Sequence, residues 1–509
     1  MPEGITVSIE PYRERTAADP SLAGLTELAA VRERLTGSRL EVADFRFLDR
    51  EPGPDAPFRA VVHDPDAYRS VEVTGRLGDL AGAAARSVRF RPLPGREEFE
   101  RAVEAVRGHA EFGPLLAAGG ATAYRPMPPL ADVTNGDGTV DRVVTVGLRT
   151  PEDAVKHRIV GVRTKDGTVV PDPEGVPAPS ARDCVTTPAA DNCPRPAGGP
   201  RAVRVRVRRG TTELWDLVVN RPATSSGSYG SGVELRFVAH KGERVLYQAH
   251  APILNVRYAG DRCGPYRDWE KEEVCFNATG SEPAGPGYRL CTSAPRTILD
   301  TGNDQGNFRG VAFFHTGSEL RILSELAAGW YRYVTEWRLA DDGAIRPRFG
   351  FGAVTNPCTC LSHTHHVYWR LDPDVGGTTA NRVDEFNDGA GWTPIRRETQ
   401  RTRDPARHRQ WRVVAPASGR GYGIVPGAGD GTADAYGVAD LWVLRYRGAA
   451  EIDDPRGFDT RAHIGDFVTG ESVDGQDLVV WYGAHFLHDQ SGPRPPSHFV
   501  GPELRPLTV

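Results

Sequence analysis

The segment CTCLSHTHHVYWRLDPD (358–374) gathers cysteines, histidines and aspartates in one short stretch. On an extended strand alternate side chains share a face, so His363 and His365 project together while His366 points away. Two imidazoles so placed can occupy adjacent positions on one metal ion. A third ligand must come from elsewhere, and DLVVWYGAHFLHDQ (477–490) offers His485 and His488 on spacing alone. Imidazole suits copper, zinc, iron or nickel, so ligand type leaves the metal open. Cys358 and Cys360, just ahead of the histidines, offer a thiolate site instead, for which zinc is the natural ion. The plain alternative is a set of histidines that only make hydrogen bonds on exposed strands.

The elements that must position these residues are strands. From residue 202 onward come alternating runs such as VRVRVRR, LWDLVV, VELRFVAH, WYRYVTEWRL, HVYWRLD and DLVVWYGAHFL, with almost no long helical pattern. A chain of this texture predicts a mostly β fold whose main part is a large antiparallel β-sandwich, residues 201–509. Two small α+β domains are expected before it, over 1–94 and 95–175. The first has a helical stretch, Leu22 to Leu35, then strands at 40–48, 58–63 and 70–76. The second has an amphipathic stretch over 95–120, then strands at 141–148, 157–163 and 167–170. A proline-rich linker, 176–200, follows.

The bulk properties exclude some partners. A net charge of −5 points to neither nucleic acid nor an anionic membrane surface. No apolar run approaches the roughly 20 residues of a membrane helix, and the N-terminus lacks a basic segment followed by an apolar one, so a cytoplasmic location is expected. Seven cysteines, an odd number, do not read as a disulfide framework. Most are expected as free thiols, with one bridge possible among Cys263, Cys275 and Cys291.

These segments resemble the catalytic domain of the copper amine oxidases. In that family an HxH precedes an Arg-Leu-Asp, matched here by His363-Thr-His365 and Arg370-Leu371-Asp372. The family's third histidine lies seven residues after the tryptophan of a VVW strand, which selects His488, after Trp481, over His485. The chain end, HFVGPELRPL (498–507), is similar to the family's closing segment. The resemblance covers roughly 200–509 and, more weakly, the two small modules. It implies copper on His363, His365 and His488. It also implies a second site for calcium or manganese on Asp372, Asp374 and Asp477, with the carbonyls of Pro373 and Leu478.

Members of that family convert one tyrosine into topaquinone, which acts as electrophile and electron sink for a primary amine. ELAAGWYRYVTEWRLADDGAI (325–345) is similar to the segment that carries it, and makes Tyr331 the quinone candidate with Trp330 packed beside it. Ala327, Trp330 and Arg332 depart from the family's Thr, Asn and carboxylate. The family's catalytic Phe-Asp pair corresponds to Phe276-Asn277, and an asparagine cannot accept the proton. Asp268 is the preferred substitute base, with Glu272 and Glu273 as alternatives, and Tyr258 matches a tyrosine that hydrogen-bonds the cofactor. The resemblance implies a homodimer that turns a primary amine, O2 and water into an aldehyde, ammonia and hydrogen peroxide. A copper oxidase of this fold without a quinone, and a non-catalytic metal-stabilised protein, are the other readings.

Overall fold

The computed structural model describes residues 4–507 apart from 13–21, 49–53, 89–93, 125–129, 131–132, 135, 137–139, 150–157, 172–191, 195–197, 222–231, 259–265, 269–271, 304, 329–330, 354–361, 435–436, 448–451, 453–463 and 489–498. Most of its regular structure is strand, and two large sheets pack face to face. The first runs through ten strands, with the order 5–12, 202–209, 212–220, 234–240, 243–258, 363–373, 478–488, 441–445 and 399–401, and 266–268 pairing with 243–258 to one side. The second has twelve strands and includes 319–328, 331–340 and 345–353 as consecutive antiparallel neighbours.

Alternation explains why these runs make a sandwich. In VRVRVRR the valines Val203, Val205 and Val207 are fully buried between the sheets. The intervening arginines face outward and pair with acids, Arg204 with Asp216 and Arg206 with Glu10. A period of two thus sorts one face to the core and the other to solvent. The inner faces carry the largest buried side chains, among them Trp215, Trp337 and Trp369.

Glu10 belongs to a strand that the sequence reading did not separate from the first small unit. Ile5–Tyr12 pairs antiparallel with Ala202–Arg209 along its whole length, Ile5 opposite Arg209 and Tyr12 opposite Ala202. Its alternating ITVSIEPY places Ile5, Val7 and Ile9 in the sandwich core. The two small units are therefore carried between two adjacent strands of the large sheet.

Each small unit has a four-stranded antiparallel sheet. Helices are shorter than expected. The stretch 22–35 breaks into Leu22–Thr26 and Ala29–Arg32, where Leu28 is extended. The stretch 95–120 breaks into Arg96–Arg107 and Gly113–Ala117. The chain turns so tightly here that a side chain on Gly113 would meet the Arg107 carbonyl oxygen at 2.2 Å. The first unit also gains a strand, Asp79–Val88, whose alanine- and glycine-rich sequence gives little strand signal. Among the described residues no helix is long and apolar enough to cross a membrane.

One bridge forms in the expected region, with a partner from another segment. Cys275 is bonded to Cys193, which comes from the proline-rich segment, while Cys291 is free and buried. Cys184, Cys263, Cys358 and Cys360 lie outside the described residues. The bond closes a loop with a sequence separation of 82 and clamps the segment entering the sandwich. Next to it, Arg309 donates to the carbonyls of Cys193 and Glu273. Reducing this bond is expected to lower stability by about 2–5 kcal/mol. Unfolding midpoints of oxidised and dithiothreitol-treated protein check this, and equal midpoints would refute it.

Candidate metal centre

The strand His363–Pro373 lies inside the ten-stranded sheet, between 243–258 and 478–488. Its pairing with the latter puts His363 opposite His488, His365 opposite Phe486, and His366 opposite His485. Directly opposed residues share a face, so His363, His365 and His488 all turn inward while His366 and His485 turn outward. Spacing left His485 and His488 as rivals, and the face of the sheet separates them.

The inward rings cluster. His488 Nδ1 lies 3.3 Å from His363 Nε2, and the His363 ring centroid is 4.8 Å from that of His365 and 4.9 Å from that of His488. The facing sheet brings Tyr331 down onto them. Its phenol oxygen is 3.2 Å from His363 Nε2, and its ring centroid is 5.0 Å from that of His365. Tyr333 stacks on Tyr331 at 5.6 Å with an interplanar angle of 18°. All of these side chains are buried.

His365 is the informative member. It is completely buried, yet neither ring nitrogen has a hydrogen-bond partner. Burial, then the neighbouring His363 and His488, hold it well below the ordinary histidine range, so it stays neutral with a lone pair to offer. Two nitrogens that share one ion at about 2 Å stand roughly 3 Å apart, close to the spacing His363 and His488 already have. Three imidazoles suit copper or zinc. The donor set therefore fits a transition metal. Among the described residues no group of three or more His, Cys, Asp or Glu stands arranged to hold a metal ion.

The outward pair is a different structure. His366 Nδ1 and His485 Nδ1 are 2.7 Å apart, and His485 Nε2 reaches the Ala439 carbonyl at 2.8 Å. Burial lowers the pKa of His485, against the pull of Asp440. Gly437 backs onto both rings so closely that a side chain there would lie 2.6 Å from each Nδ1.

The other predicted residues are placed less favourably. Arg370 donates to Asp372 Oδ2 at 3.2 Å, and Arg244 lies 3.7 Å from Asp374 Oδ2. Those two carboxylates already face cations. Glu273 is held by Arg221 in a two-pronged ion pair. Asn277 donates from its side chain to the Gln305 carbonyl at 3.3 Å. Asp268 stands opposite Leu254, on the side of strand 243–258 away from the histidine strand, whereas Tyr258 stands opposite His363. Trp330 lies outside the described residues, as do the side chains of Asp268, Tyr258 and Glu272.

Arg332 is buried beside Tyr331. Alternation puts it on the outer face of its strand, opposite Ala327, where it donates to the Tyr331 carbonyl at 3.0 Å. Sequence reasoning missed Phe351 and Phe486, which crowd the imidazoles; their only signal was inward alternation in FGFG and HFLH.

No family model and no curated protein matches the chain by sequence. Solved structures do match. A copper-containing benzylamine oxidase from Hansenula polymorpha aligns over 98% of this chain and 97% of its own, with a TM-score of 0.57 and 13% identity. An Aspergillus nidulans amine oxidase aligns over 98% of this chain and 88% of its own, with a TM-score of 0.52 and 13% identity. The Pichia pastoris lysyl oxidase gives 96% and 88%, a TM-score of 0.51 and 14% identity. At such identities the likeness is one of architecture, and this chain has the fold of these oxidases.

Proposed function

We propose that this chain is a copper-dependent oxidase of primary amines in which Tyr331 is the precursor of a quinone. The reaction takes a primary amine, O2 and water to an aldehyde, ammonia and hydrogen peroxide. One observation carries the reading: the phenol oxygen of Tyr331 lies 3.2 Å from a nitrogen of a buried three-histidine cluster. Copper and a topaquinone, when present, supply redox chemistry with oxygen and an electrophilic carbonyl.

The chain's own residues supply position and dryness. His365 offers a neutral nitrogen because its burial disfavours the imidazolium form. Tyr333 and Phe351 border the Tyr331 ring and keep water from it. Proton removal from the substrate carbon needs a carboxylate. Glu273 is engaged by Arg221, and Asn277 has no basic group, which leaves Asp268, the preferred base, and Glu272.

A second reading, a copper oxidase without a quinone, is favoured by Asn277 and by the enclosure of Tyr331, only 1% exposed. Mass spectrometry of the Tyr331 peptide separates the two. After incubation with copper and O2, the first reading expects an oxidised tyrosine and a positive quinone stain. An unmodified, colourless protein that binds copper would refute it.

A further inference from the structure

A metal-binding imidazole is ordinarily oriented by a hydrogen bond from its second nitrogen to a carboxylate or carbonyl. His365 has no such bond from either nitrogen, although it is fully buried. Something else must hold its ring.

Aromatic rings surround it instead. Phe351 lies 3.8 Å away, centroid to centroid, with the planes at 33°. Phe486, its cross-strand neighbour, lies 5.4 Å away with the planes nearly parallel at 15°. Tyr331 presents an edge at 5.0 Å. Phe351 also reaches the other two imidazoles, at 4.7 Å from His488 and 6.1 Å from His363. It contacts the whole trio and Phe486 at 5.3 Å.

The depth of Phe351 is set from behind. Its neighbours in FGFG, Gly350 and Gly352, face the opposite side of the strand. A side chain on Gly350 would meet Leu299 at 2.5 Å, and one on Gly352 would meet Ile298 at 3.0 Å. Both contacts belong to a short helix, Ile298–Thr301, capped by Thr297 and Asp300 and tied to the sheet by Ile298 N–H donating to Glu325 Oε2 at 2.9 Å. The helix can press on bare backbone only because both positions are glycine.

We propose that Phe351 is a positioning residue for the metal site: the His365 imidazole is aimed by an aromatic wall, with Phe486 as its second panel, rather than by hydrogen bonds. This rests on the three-histidine copper site proposed above and not on the quinone.

The test uses the full chain with Phe351→Leu, Phe486→Leu and Phe351→Tyr, measuring copper affinity by chelator competition and the Cu(II) electron paramagnetic resonance spectrum, with thermal melting of the copper-free proteins. Phe351→Leu is expected to weaken copper binding about 10- to 100-fold, the range for losing a ligand's orienting partner. Its spectrum should broaden into more than one species. Phe351→Tyr should restore both, and Phe486→Leu should show the smaller effect in the same direction. If Phe351→Leu and Phe486→Leu both bind copper like the wild type with an unchanged spectrum, the aromatic wall does not position the site. If the wild type itself holds no copper, the metal reading fails and this inference falls with it, an outcome distinct from the first.

Discussion

His488→Ala protein, loaded with copper and dialysed, should retain less than about a tenth of the metal held by the wild type. Losing a directly binding nitrogen costs more than the 10- to 100-fold typical of an outlying partner. Alanine also opens a gap beside His363, whose Nε2 stands 3.3 Å from the lost Nδ1. His485→Ala is the matched control. Its ring lies three residues away on the same strand but on the outer face, bonded to His366 at 2.7 Å. That variant should keep most of its copper and lose stability by about 1–3 kcal/mol, because a buried imidazole loses its partner. Metal analysis and melting of the two proteins give the answer. The reverse order of copper loss would overturn the ligand assignment.

Tyr331→Phe carries the second large effect. The ring survives, so stacking on Tyr333 at 5.6 Å and the edge contact with Phe351 at 5.9 Å are preserved. Only the hydroxyl disappears, and with it the oxygen 3.2 Å from His363. Copper binding and the fold should persist, with a stability change within about 1.5 kcal/mol. Quinone staining should vanish and amine-dependent oxygen uptake should fall by about 10³-fold or more, as when the group that does the chemistry is removed. Oxygen uptake that survives in Tyr331→Phe would remove the quinone from the mechanism while leaving the copper site standing.

Much of this was legible because strand alternation is a strong rule. VRVRVRR announces a core face and a solvent face, and HTHH announces which two of its three histidines share a face. What alternation within one strand cannot supply is register between strands. Only the pairing of His363 with His488 shows that His488, and not His485, shares the inner face. The same gap hid the aromatic wall, since Phe351 and Phe486 stand on different sheets and nothing local links them. The helix over 95–120 failed for another reason. Its amphipathic pattern continues past Arg107, but close packing at Gly113 overrides the propensity. The Cys193–Cys275 bond was hidden by composition, because seven cysteines in a long chain argue for thiols.

The seam between Ile5–Tyr12 and Ala202–Arg209 has a consequence for how the molecule is made. A ribosome releases the first of these strands long before the second. At about 5–20 residues per second, the delay across the intervening segment is roughly 10–40 s. During that interval Ile5, Val7 and Ile9 have no sheet to join, and an unpaired apolar strand is an invitation to pair with a stranger. Biosynthesis of this protein thus includes an obligatory wait, and chaperone supply during it should govern how much soluble product a cell yields.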